Sequence, residues 1–162
     1  MKGPESAARA ALAALIRKDI AVVERLTDAL ESLPADAGDS QTAGVGYRLH
    51  NIYSALENSF DQISRTFENH VVDPSRWHRE LLLKMFLEIP GVRPAVLPEA
   101  LRDSLNDLRS FRHLFRHGYD FRLDPVRLNR LVEQWGGAAP KVLKALLEFA
   151  SWLTSPGPSI AS

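Results

Sequence analysis

The chain contains no cysteine, which excludes a disulfide framework, a thiol nucleophile and a cysteine-based zinc site. No run of about eighteen apolar residues occurs, so no segment reads as a membrane span. Charge of one sign is also lacking: 20 basic residues balance 20 acidic ones, which argues against a nonspecific nucleic-acid coat. There is no Ser-His-Asp spacing, no phosphate-cradling glycine-rich loop and no paired-carboxylate signature. Stretches of strand-like alternation, internal repeats and low-complexity tracts are missing as well. Met1 to Arg17 does not read as a signal peptide, because Glu5 and Arg9 interrupt it and Ala-rich helix continues beyond. A soluble cytoplasmic protein is expected, and the absence of cysteine fits a reducing compartment.

What is present is helical periodicity. At 162 residues the chain is long enough to bury a core without metal or disulfide, and one domain over residues 1–155 is expected, with a loose tail over 156–162. A first helix is predicted from Ser6 to Leu33 and a second from about Thr42 to Val71, the latter with Leu49, Ile52, Tyr53, Leu56, Phe60, Ile63 and Phe67 on one stripe. Asp73-Pro74 should open a third helix running to Glu88, and Ile89 to Leu97 reads as an ordered loop. Pro98-Glu99 opens a fourth that stops at Gly118. Asp124-Pro125 opens a fifth ending near Gly136-Gly137, and Pro140 opens a last one to about Leu153. The expected fold class is all-α: a bundle of two long N-terminal helices and three or four shorter ones.

The chemistry concentrates between Arg109 and Tyr119, where three arginines, two histidines and a tyrosine share eleven residues. From Arg109 to Arg130 six arginines stand against Asp120 and Asp124 with no lysine, a balance of 6 − 2 = +4 before any histidine is protonated. The planar fork of arginine suits phosphate oxygens, so this segment hints at a shaped anion site, with a solvated face paired to acids as the plainer account. Arg112, His117 and Tyr119 keep the spacing Arg-x4-His-x-Tyr. On an unbroken helix Arg112 and His117 lie about 140° apart, so they cannot simply point the same way. The reach of arginine, unwinding before Gly118, or a second copy of the helix across a two-fold axis would each reconcile them.

Other readings of these residues compete. Arg109, His113 and His117 form their own i, i+4, i+8 stripe, and histidines four apart are a metal-ligand spacing. No nearby acid or cysteine offers a clear third ligand and the arginines would repel a cation, so no metal is expected. Taken alone, the residues also suit a purely structural account. His117 would sit at a helix C-terminus favoured by the dipole, Arg112 would pair with an acid such as Asp61, and Tyr119 would pack its ring. Tyr47, His50 and Tyr53 line up on the second helix as cleft or bundle filling, Trp77-His78 reads as core anchoring, and His70 ends a helix.

Arg112-His113-Leu114-Phe115-Arg116-His117-Gly118-Tyr119 on a helical bundle resembles the HEPN superfamily, and more closely the HepT-like toxins of bacterial toxin–antitoxin pairs. The segments Tyr53 to Glu57, Trp77 to Leu82 and Arg93 to Val96, and Phe111-Arg112-His113 followed by Leu123-Asp124, resemble one HepT-like subgroup. The resemblance runs from about Tyr47 to Leu147 and reaches the first helix only in character. It implies a HEPN-type bundle acting as the toxin of a type II system. The activity implied is metal-independent endoribonuclease cleavage in a groove between two copies of the chain, with no cofactor. His117 would be general base or acid, Arg112 would hold the scissile phosphate, and His113, Arg116 and Arg109 would be accessory RNA contacts. Tyr119 matches the position that a partner nucleotidyltransferase antitoxin AMPylates, which would block RNA entry by bulk and charge. His113 stands where Asn is frequent. Two alternatives share the fold: a noncatalytic helical module that docks beside a nucleotidyltransferase, and a dimeric bundle whose arginines bind a nucleotide.

Overall fold

Five α-helices and one 3-10 turn make up the regular structure among the described residues. The computed structural model describes residues 4–68, 77–117 and 122–155. The helices are α1 (Ser6–Asp28), α2 (Asp39–Glu68), α3 (Trp77–Lys84), α4 (Arg102–His117) and α5 (Pro125–Thr154), with the turn at Glu99–Leu101 leading into α4. No helix is long and apolar enough to cross a membrane, among the residues described.

α1, α2 and α5 form the body of the bundle. α1 lies along both of the others, while α3 and α4 pack over the far flank of α2. The reason is the apolar stripe of α2, where Leu49, Ile52, Tyr53, Leu56, Phe60 and Ile63 are fully buried. At roughly 2 kcal/mol for each large side chain removed from water, this stripe contributes on the order of 10 kcal/mol of burial to the fold. Several polar groups that enter the core are paired: Asp19 of α1 accepts from Ser59 (2.7 Å) and Asn58 (3.0 Å) of α2, and Trp135 of α5 donates to Thr27 Oγ1 (3.0 Å).

Helix boundaries depart from the sequence expectation; α2 starts a turn early at Asp39 and α4 starts at Arg102 after the 3-10 turn, and three larger departures follow. α1 stops at Asp28 rather than Leu33; Leu33 leaves the helix and donates its N–H to Asn129 Oδ1 at 2.8 Å, so a contact with α5 replaces helical bonding. α3 ends at Lys84 rather than Glu88, because the Met85 carbonyl accepts from both Val96 and Leu97. Most notably, α5 runs unbroken through Gly136, Gly137 and Pro140. A proline inside a helix costs about 3 kcal/mol and crowds the carbonyl four residues back. Here that residue is Gly136, which has open space around it, and Trp135, Ala138, Ala139, Val142 and Leu146 bury one continuous face on either side. Packing decides in favour of the helix. The expected start of α3 at Asp73-Pro74 and the expected stop at Gly118 lie outside the described residues, as does His70.

The segment between α3 and α4 is ordered by one arginine. Gly91 turns the chain at φ 75°, bringing Ile89 and Arg93 into an isolated antiparallel bridge. The Arg93 side chain is fully buried: Nε donates to Glu68 Oε1 (3.0 Å), Nη1 to the carbonyls of Leu87 (2.9 Å) and Pro94 (3.1 Å), and Nη2 to Glu68 and the Lys84 carbonyl. The end of α2, the end of α3 and the approach to α4 are thereby tied together. This fixes where α4 begins relative to α2.

Candidate functional site

α4 is strongly amphipathic. Leu105, Leu108 and Arg112 are its buried positions and face α2. Close approach is possible because α2 has a glycine at the contact: a Cβ on Gly46 would stand 3.1 Å from Leu123, 3.2 Å from Phe115 and 3.5 Å from Phe111. Phe115 then stacks on His50 of α2, ring centroids 5.4 Å apart. The aromatic contacts press the C-terminal half of α4 onto α2 and deliver Arg112 to the interior.

Arg112 is held there by three groups of α2. Its Nε donates to Ser54 Oγ (3.0 Å), its Nη1 lies 3.2 Å from Glu57 Oε1, and its guanidinium stands 5.9 Å over the Tyr53 ring. Asp61, the acid expected from sequence, pairs instead with Arg65 on its own helix. The other oxygen of Glu57 is 2.8 Å from His78 Nδ1, at the start of α3. One buried carboxylate thus ties an arginine of α4 to a histidine of α3.

His78, Arg109, Arg112, His113, Arg116 and His117 line one small cleft of about 20 Å³. Arg112 and His117 therefore share surroundings within one protomer, despite their angular separation on an ideal helix. His113 and His117 are exposed one turn apart, with ring centroids 4.8 Å apart. Arg109 is steadied by Asn106 Oδ1 through Nη2 (2.9 Å) and Nε (3.2 Å). Among the described residues, three guanidinium groups against the Glu57 carboxylate leave 3 − 1 = +2 at the cleft with the imidazoles neutral. The six arginines of the basic segment do not gather in one place. Arg122, Arg127 and Arg130 line a separate, largely apolar groove of about 370 Å³ between α4 and α5, with Phe111 and Leu131 among its walls. Tyr119 lies outside the described residues.

The field of this cluster reaches its neighbours. Burial, followed by the charges of Arg112 and Arg116, holds the His50 imidazole below its ordinary 6.5. Burial, followed by the Glu57 charge, pushes the Tyr53 phenol well up, with Arg109 and Arg112 acting the other way. His50 Nδ1 and Tyr53 Oη are both buried without a hydrogen-bond partner among the described residues. Tyr53 is thus bundle filling, whereas Tyr47, expected on the same stripe, is exposed.

Three residues of this site escape a reading based on the basic segment alone: Ser54, Glu57 and His78. The signal for Glu57 was a carboxylate inside an apolar stripe, about 40° from Tyr53 on the α2 wheel. A charge at such a position is either out of place or paired, and here it is paired twice. By sequence, Trp77-His78 reads as core anchoring. Trp77 does pack against the core, whereas His78 itself is half-buried and turns to the cleft.

Searches of curated proteins and of solved structures found no match. A protein-family model described as HepT-like protein matches residues 44–153, from the first turns of α2 to the end of α5. It thus takes in every residue that lines the cleft, and the chain belongs to the HepT-like proteins of the HEPN superfamily.

Proposed function

We propose that this chain is the RNA-cleaving toxin of a toxin–antitoxin pair, acting without a metal through Arg112 and His117. The observation that carries the proposal is the shared cleft: a buried guanidinium and an exposed imidazole line it together with two further arginines. Membership of the HepT-like proteins supports a toxin-like role in general. In this reading the ribose 2′-oxygen forms a bond to phosphorus while the bond from phosphorus to the 5′-oxygen breaks. One proton leaves the 2′-hydroxyl and one reaches the departing 5′-oxygen, giving a 2′,3′-cyclic phosphate and a 5′-hydroxyl end. His117 performs one of these transfers. Arg112, already desolvated, stabilises the charge that develops on the phosphoryl oxygens.

The cleft has room for about one water-sized group. That suits a phosphoryl oxygen, not a base, so the bases stay outside and recognition within the cleft is of backbone. Arg116 and Arg109 contribute charge to its lining, beside His113. A second copy of the chain would extend the cleft into a groove, and a nucleotidyltransferase antitoxin would silence it, by AMPylation of Tyr119 or by covering the arginines.

The test is degradation of RNA by the purified chain in EDTA, set beside His117→Ala. Cleavage by the first and a loss of about 10²–10⁴-fold in the second is expected. A second reading draws on the Glu57–Arg112 pair: an arginine already paired to an acid suits a noncatalytic module that docks beside a nucleotidyltransferase. RNA left intact by the wild-type chain, together with harmless expression on its own, decides for that module.

A further inference from the structure

We propose that His78 is a second proton-transfer group in the same cleft, oriented by Glu57, so that one protomer carries both imidazoles that phosphodiester cleavage uses. The inference rests on the nuclease reading and goes beyond the Arg-x4-His motif, because His78 comes from a different helix. Glu57 is 6% exposed in its side chain and divides its two oxygens between Arg112 Nη1 and His78 Nδ1. Buried carboxylates that hold a ring nitrogen fix the orientation of an imidazole and leave the other nitrogen to exchange protons. With Nδ1 engaged at 2.8 Å, that nitrogen is Nε2. The His78 side chain is 38% exposed, enough to meet a ligand while its ring is steadied by the edge of Trp77, centroids 4.5 Å apart. A histidine that served only to anchor the core would have no reason to stand at the mouth of an arginine-lined cleft.

The chemistry balances with two imidazoles. One takes the proton of the 2′-hydroxyl as the bond from that oxygen to phosphorus forms. The other gives its proton to the 5′-oxygen as the bond from that oxygen to phosphorus breaks. His117 and His78 divide these tasks, and exchange with water restores both protonation states before the next turnover. Among the described residues, the charged and titratable groups facing His78 are Glu57 from α2, and Arg109, Arg112, His113, Arg116 and His117 from α4. Glu57 itself does not line the cleft and is a positioning residue.

The experiment measures cleavage of a short oligoribonucleotide in EDTA between about pH 5 and pH 9, for wild type, His117→Ala, His78→Ala and His78→Gln. The wild type should give a bell-shaped rate profile. His78→Ala should lose about 10²–10⁴-fold in rate together with one limb of the bell, and added imidazole should restore part of the rate. His78→Gln keeps a hydrogen-bond donor toward Glu57, and should melt like the wild type yet stay inactive. A merely structural histidine predicts the reverse: Gln restores activity, both limbs survive in the alanine variant, and imidazole does nothing. That result overturns the proposal, as does an unchanged rate in His78→Ala, while a dead His117→Ala leaves the nuclease reading standing. A wild-type chain that leaves the oligoribonucleotide intact sinks both.

Discussion

Glu57 Oε1 of α2 lies 3.2 Å from Arg112 Nη1 of α4, a contact between helices that brings together residues 55 positions apart (112 − 57 = 55). The pair is buried on both sides, which makes it a different object from a surface salt bridge. Surface pairs are worth about 0–1 kcal/mol and are screened by salt. A buried pair gains little over an apolar replacement of both members, but the loss of one partner strands the other. Glu57 is therefore a position where the conservative change and the deletion differ sharply.

Arg112→Lys should fail as a replacement. Lysine offers one compact charge where the fork reaches Ser54 and Glu57 at once. RNA cleavage should fall by about 10²-fold or more while the helical circular dichroism persists. A lysine variant that cleaves at the wild-type rate would remove the planar fork from the mechanism.

The depressed His50 makes stability depend on pH. Its folded-state value lies below the ordinary 6.5 because burial, then Arg112 and Arg116, oppose a charged ring. Below 6.5 the unfolded chain binds the proton first, so unfolding is favoured as pH falls through that value. The melting temperature should drop on going from pH 7 to pH 5. His50→Phe, which keeps the stack on Phe115, should flatten that part of the curve, and an equal drop in both proteins would assign the effect elsewhere.

Arg93→Met should cost about 3–5 kcal/mol in urea unfolding, because Glu68 would be left without its buried partner. Burial raises the Glu68 value, yet hydrogen bonds from Arg93 and Ser64 and the charges of Arg93 and Lys84 win and hold it below 4.5. The stability this supplies is present above the unfolded value and lost as pH falls through the lower folded one. The variant should show a smaller acid-side loss below pH 4.5 than the wild type.

The division of the arginines predicts a division in salt dependence. Arg116→Ala should reduce the slope of log affinity against log salt by about 0.7 for single-stranded RNA, the contribution of one phosphate contact. Arg130→Ala, on the apolar groove, should leave the slope unchanged. Equal losses would mean that RNA crosses both flanks of α4.

Much of this architecture was legible in the sequence. The stripe of α2 and the cap at Asp124, whose carboxylate accepts from the Val126 N–H at 3.0 Å, follow from local rules. The break expected at Gly136-Gly137 and Pro140 did not materialise, because propensity is a local quantity of a few kcal/mol and the buried face of α5 outweighs it. An acid such as Asp61 suits Arg112 by sequence, yet the partner is Glu57, because spacing along one helix says nothing of which acid on another helix stands opposite. The single-helix wheel likewise sets Arg112 and His117 apart, whereas the cleft is bounded by side chains of different lengths and by a second helix, α3, through His78.

Helical periodicity, the arginine-rich segment and the Arg-x4-His spacing belong to the sequence by itself, since each depends on residues within a few turns of one another. Which acid neutralises Arg112, which histidine joins His117, and which three arginines face the cleft were decided only by the packing of α2, α3 and α4. Those choices depend on distances between elements far apart in the chain, and burial makes them binding: a charge taken out of water must find its partner wherever the fold has put it.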